Sequence, residues 1–254
     1  MAVAVLALAQ ITVLDFGLSP QPVDYLLFFT APFLGYNFIK FYPLGFRPRS
    51  ISPRLIWGFR GLLLGGAVFL AVAFFLLPFS AQIVFMAAFV LSLLYGWPLP
   101  GLGINFRGFR GWKIHMVALS WVLISVLLPL AVAGKMLTAP VLIYAGQRYL
   151  YVLAATLPFE IRDLKWDHPQ LATWPQKWGV RKTQILGVLL LAILVFLEAC
   201  CFFGSAFGVT LCIALLLAGM ILKSKINQSP YFSSFWVEGI PILWLTLKGL
   251  MFLG

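Results

Sequence analysis

The sequence predicts an all-α integral membrane protein of about nine transmembrane helices packed as one bundle, a single polytopic domain spanning residues 1–254. Three observations carry that reading. The chain is 62% hydrophobic and only 10% charged, with a mean hydropathy of +1.00, whereas a soluble domain is about 45–50% apolar and about 25% charged. Its apolar residues fall in long continuous runs, and about 20 such residues cross a hydrocarbon core, with about 17 as the lower limit. Its basic residues collect in alternate connections between those runs. No Ser-, Gly- or charge-rich linker divides the chain.

The expected spans are Val3–Phe16, Tyr25–Phe41, Gly61–Phe79, Ala81–Trp97, Ile114–Ala133, Leu137–Phe159, Ile185–Phe203, Ala206–Leu222 and Phe235–Leu253. Val3–Phe16 is short and carries Asp15 at its end; lacking the basic region of a signal peptide, it is read as part of the mature protein. The third and fourth spans are separated by the Pro78–Ser80 turn, the seventh and eighth by Gly204 and Ser205. Helices are the natural form, because backbone groups in lipid must be paired within the segment. A transmembrane barrel needs short alternating segments, and these runs are continuous.

The charges orient the bundle. Lys40, Arg47, Arg49, Arg54, Arg60, Arg107, Arg110, Lys113, Arg162, Lys165, Lys177, Arg181, Lys182, Lys223 and Lys225 fall on one side, against Lys135 and Lys248 on the other. The positive-inside rule makes the rich side cytoplasmic, in what reads as a bacterial inner membrane. The net charge of +11 is then a topology signal. Nucleic acid is not an expected partner, since binding it needs a soluble basic face; membrane lipids are.

Acidic residues are scarce, and three of them lie together where the sixth span leaves the membrane: Glu160, Asp163 and Asp167. On a continuing helix Asp163 and Asp167 share a face, which Glu160 joins. Such a cluster suits a hard divalent cation, which takes oxygen ligands and bridges to phosphates. Arg162, Lys165, Lys177, Arg181 and Lys182 around it can hold phosphate oxygens. A solvated loop of mixed charge is the alternative.

The wording of this loop adds to its spacing. Ile161-Arg162-Asp163-Leu164-Lys165-Trp166-Asp167, followed by Thr173-Trp174-Pro175 and Gly179, resembles the second aspartate-rich motif of the UbiA superfamily of intramembrane prenyltransferases. Leu94-Tyr95, the basic stretch Arg107–Lys113 and Trp121 resemble the family's fourth-helix end, the loop after it and its fifth helix. The resemblance covers essentially the whole chain. It implies nine helices, a polyprenyl diphosphate and a lipophilic acceptor as substrates, and magnesium held by two aspartate motifs. It assigns catalysis to Asp163 and Asp167, metal binding to Glu160, Asp163 and Asp167, and substrate contacts to Asn37, Lys40, Arg107, Arg162, Lys165, Arg181 and Lys182. Metal and cationic side chains would neutralise the leaving diphosphate, and an apolar cavity would keep water from the allylic cation.

The first motif departs from the family. Its place reads Asn37-Phe38-Ile39-Lys40-Phe41, with Phe41 where an aspartate belongs, and no carboxylate occurs between Asp24 and Glu160. Two readings stay open: a prenyltransferase, and a non-catalytic relative serving as a lipid-binding or scaffold subunit among other membrane proteins. A transporter is disfavoured, since no broken helices flank midplane charges. Elsewhere, Arg148 in the sixth span and Glu198 in the seventh are expected to pair, since their depths match by helical rise. His115 reads as structural or interfacial, His168 as solvated, and Glu238 as a helix cap or a partner within the bundle. Cys200, Cys201 and Cys212 read as apolar packing residues.

Overall fold

The computed structural model describes residues 1–41, 53–96, 111–135, 137–202, 204 and 206–253. The described residues are helical with no strand, in the order α1 Ala2–Asp15, α2 Pro22–Phe41, α3 Pro53–Leu76, α4 Phe79–Gly96, α5 Lys113–Val132, α6 Ala139–Asp163, α7 Trp174–Cys201, α8 Phe207–Lys223 and α9 Glu238–Leu253. Each expected span thus corresponds to one helix. Residues Ile56–Leu76 of α3, together with α4, α5 and α7, are each long and apolar enough to cross a membrane. This is an all-α integral membrane protein.

Helix ends differ from span ends for physical reasons. Helix α3 stops at Leu76 rather than Phe79, because Pro78 has no N–H and disfavours helical geometry before it. The Gln82 side chain ties off the loose end, donating to the carbonyls of Phe74 and Leu77 at 3.1 Å each. Helix α6 runs on to Asp163, and α7 starts at Trp174. Hydropathy marks where lipid ends, whereas backbone pairing continues into charged sequence.

The chain forms two compact units, Met1–Asn105 with Leu123–Met136, and Phe106–Val122 with Leu137–Gly254. In the first, α1 packs on α2 and on residues 123–132, burying Leu8, Ile11, Leu27 and Phe28. Pro129 in α5 leaves the Ser125 carbonyl without its helical donor, and the backbone widens there into a π turn, Leu123–Leu127. The Thr12 hydroxyl supplies the missing donor at 2.7 Å. Helices α3 and α4 present Trp57, Phe75 and Phe79 outward, an apolar surface suited to lipid.

In the second unit, α6 is the centre, packed against α7, α8 and residues 113–122 of α5. It buries Tyr151, Leu153, Leu157 and Ile161. Gly187 of α7 lets three helices close together: a Cβ there would stand 2.7 Å from Leu157 Cδ1 and 3.1 Å from Ile221 Cγ2. A second π turn, Phe232–Val237, leads into α9 four residues before Pro241.

Candidate functional site

The acidic cluster is built at the end of α6. Glu160 and Asp163 occupy its last turn, and the regular helix ends at Asp163, four residues short of Asp167. The amides of Trp166 and Asp167 both donate to the Asp163 carbonyl at 2.8 Å, closing one further turn between Asp163 and Asp167. The loop is then pinned from several sides. Gly111 N–H donates to the Leu171 carbonyl at 2.9 Å. Gln176 accepts from the Thr173 amide at 2.9 Å and donates to the carbonyls of Asp167 and His168 at 3.2 and 3.3 Å. Gly179, at φ 77° and ψ 165°, breaks the helical path between Trp174–Trp178 and the rest of α7, a conformation open essentially to glycine alone. The Thr, Pro and Gly of the motif are therefore loop architecture.

Into this loop projects Lys113, from the start of α5. Its Nζ lies 3.0 Å from Glu160 Oε1 and 2.7 Å from Asp167 Oδ2. Glu160 is 5% exposed. An isolated carboxylate buried that deeply is costly, and Lys113 provides the compensating charge. Asp163 is held instead by Arg162, whose Nε donates to its Oδ1 at 2.7 Å. Arg162 Nη1 reaches the hydroxyls of Ser233 and Ser234 at 2.9 and 3.1 Å, and its guanidinium lies over Phe159. Magnesium needs several oxygen ligands in near-octahedral array. Here a lysine ammonium sits between two of the carboxylates, and among the described residues no group of three or more His, Cys, Asp or Glu is assembled to hold a metal. The arrangement as it stands does not fit magnesium.

The remaining expected site residues fall on several elements of the two units. Lys165, on the same loop, lies over the Trp166 ring and is exposed, as are Arg181 and Lys182 near the start of α7. In the first unit, Asn37 is buried and donates to the Phe33 carbonyl at 2.7 Å, while Lys40 is exposed with its ammonium over Tyr36. Arg107 lies outside the described residues, as do Arg47, Arg49 and Arg110. Sequence reasoning counted Lys113 only among the basic residues of its stretch. It also missed the setting of His115, which hydrogen-bonds the Tyr149 hydroxyl and packs against Trp112 and Trp174.

The expected Arg148–Glu198 pair is not formed. Glu198 accepts from Gln147 at 3.1 Å and from Thr210 at 3.0 Å. Arg148 instead donates to the Tyr144 hydroxyl at 2.7 Å and lies over Trp244. Residues 147 and 148 differ by about 100° around the helix, and Gln147 has the azimuth that meets α7.

Compared with solved structures, the chain is similar to a UbiA homolog from Archaeoglobus fulgidus bound to Cd2+, with a TM-score of 0.57 and 18% identity over 96% of this chain and 90% of that one. The chain has the UbiA fold. Structures of a UbiA homolog from the same organism bound to GPP and Mg2+, and to DMAPP and Mg2+, give TM-scores of 0.54 and 0.52. Both are 17% identical over 98% of this chain and 92% of theirs. No protein-family model and no curated protein sequence matches the chain.

Proposed function

We propose that this chain is a UbiA-superfamily membrane protein that binds a polyprenyl diphosphate at the α6–α7 loop, and that its transfer of the prenyl group to a lipophilic acceptor is weak or lost. The observation that carries this reading is the Lys113 bridge between Glu160 and Asp167. A fixed ammonium holds the place where the family's second motif would gather a metal, and Phe41 removes the acid of the first motif. The similar structures bound to GPP and DMAPP support the ligand class. Arg162, Lys165, Arg181 and Lys182 offer positive charge to phosphate oxygens. Asn37, Lys40 and Arg107 are diphosphate contacts on the motif resemblance alone. No step is routed through magnesium; in an active relative it would neutralise the departing diphosphate. Losing one such stabilising interaction costs about 100- to 1000-fold in rate. The excess of basic residues in alternate loops supports a bacterial inner-membrane location with this loop cytoplasmic. A second reading, a lipid-binding or scaffold subunit among other membrane proteins, is favoured by the missing acid at Phe41 alone.

Binding of geranyl diphosphate to the detergent-purified chain, with and without magnesium, tests this together with diphosphate release. Binding that persists without magnesium and weakens in Arg181→Gln/Lys182→Gln is expected, with release near background. In Lys113→Met the two freed carboxylates should take up manganese, read by electron paramagnetic resonance. Brisk magnesium-dependent prenyl transfer abolished by Asp163→Asn would overturn the inactive reading. Absence of any geranyl diphosphate binding would leave the scaffold reading.

A further inference from the structure

Arg148 poses a problem that the mouth of α6 does not solve. It lies in the interior of that helix and is 3% exposed, and a guanidinium has five N–H donors and no acceptor. Only Nη2 is satisfied, by the Tyr144 hydroxyl; Nε and Nη1 have no hydrogen-bond partner. The guanidinium stacks at 4.7 Å from the centre of the Trp244 ring, which meets its charge through the π face. Its N–H groups lie in its plane and gain nothing from that contact. Two neighbours share the deficit. The Trp244 ring lies 5.1 Å from that of Tyr151, and both the Trp244 indole N–H and the Tyr151 hydroxyl are buried without a partner.

One cluster therefore holds three obligate donors and a hydroxyl, all sealed from solvent, where each orphan costs free energy. Glu198, the acid nearest in expected depth, already accepts two hydrogen bonds from other residues. What would satisfy the cluster is a group rich in acceptors, negatively charged to match arginine, on a body apolar enough to enter among aromatic rings.

We propose that Arg148, Tyr151 and Trp244 form a buried carboxylate-binding site for an apolar acid, separate from the loop at the end of α6. Residues 148 and 163 are fifteen positions apart on one helix, about 22 Å at 1.5 Å per residue, so a single small headgroup does not reach both. The carboxylate belongs to a fatty acid drawn from the bilayer.

Equilibrium binding of radiolabelled oleate to the full chain in detergent tests this, with methyl oleate as a neutral competitor. Oleate should bind saturably, and methyl oleate should compete at least about tenfold more weakly, as losing a charge-assisted bond implies. Arg148→Gln should lower the affinity by about tenfold or more, and Trp244→Phe and Tyr151→Phe by about threefold each. If Arg148→Gln does not fold by size-exclusion chromatography, the two conservative aromatic variants carry the test. Absence of saturable oleate binding, equal competition by the methyl ester, or unchanged affinity in the folded variants would overturn the proposal; a cluster satisfied by water alone gives the first of these.

Discussion

Lys113 and Arg162 both neutralise an aspartate, yet their bonds are of unequal consequence. The Arg162 and Asp163 side chains are 21% and 27% exposed, and pairs open to water contribute about 0–1 kcal/mol. Lys113, Glu160 and Asp167 are at 13%, 7% and 11%, where removing one charge leaves its partners buried and unmatched at about 3–5 kcal/mol. Lys113→Met should therefore lower the thermal unfolding temperature in detergent markedly. Lys113→Met/Glu160→Gln should recover much of that loss, and Arg162→Met should cost little; equal effects of the two single changes would contradict the bridge. The carboxylates were legible in the sequence because they lie within eight residues. Their lysine partner was not, because it comes from another helix and charge spacing records only local neighbours. Arg148 and Glu198 show the complementary failure, since counting residues along a helix gives depth and leaves azimuth open.

At the level of elements, each apolar run became a helix, because lipid demands internal backbone pairing. The ends were misjudged at α3, α6 and α7, where a proline or a charged continuation separates the helical boundary from the hydropathic one. Neither π turn was foreseen, although each precedes a proline by a few residues and Pro129 and Pro241 were the available signals. Gly187 was equally silent, since its role depends on Leu157 and Ile221 in other helices. A methyl group there is accommodated by small shifts of flexible side-chain ends. Gly187→Leu cannot be, and overpacking of this kind costs about 1–3 kcal/mol. Thermal unfolding should show a loss that grows from Ala to Leu at this position. A leucine variant as stable as the wild type would mean that α6, α7 and α8 do not close on this glycine.

For the molecule as a whole, composition was enough to read the solvent, and the charge asymmetry predicts orientation independently of any side-chain contact. Cys200, Cys201 and Cys212 are free and exposed, so topology must be probed in a chain from which they have been replaced. In that background a cysteine at exposed Lys177 should react with a membrane-impermeant maleimide only after the cytoplasmic side is opened, and one at Gly204 in intact spheroplasts. Labelling of position 177 from outside would reverse the orientation and place the acidic loop in the periplasm.

The π turn at Phe232–Val237 has a rotational meaning. Just ahead of α9 it hands Ser233 to Arg162, and farther along the same helix Trp244 lies against Arg148. Each residue added to or removed from a helix turns everything beyond it by about 100°. The wide turn thus acts like the keyed joint of a camshaft, fixing the phase between one lobe at the loop and another in the interior. Shortening it by one residue would leave both lobes intact and out of time with each other, so length in this stretch is under stricter constraint than the identity of its outward-facing side chains.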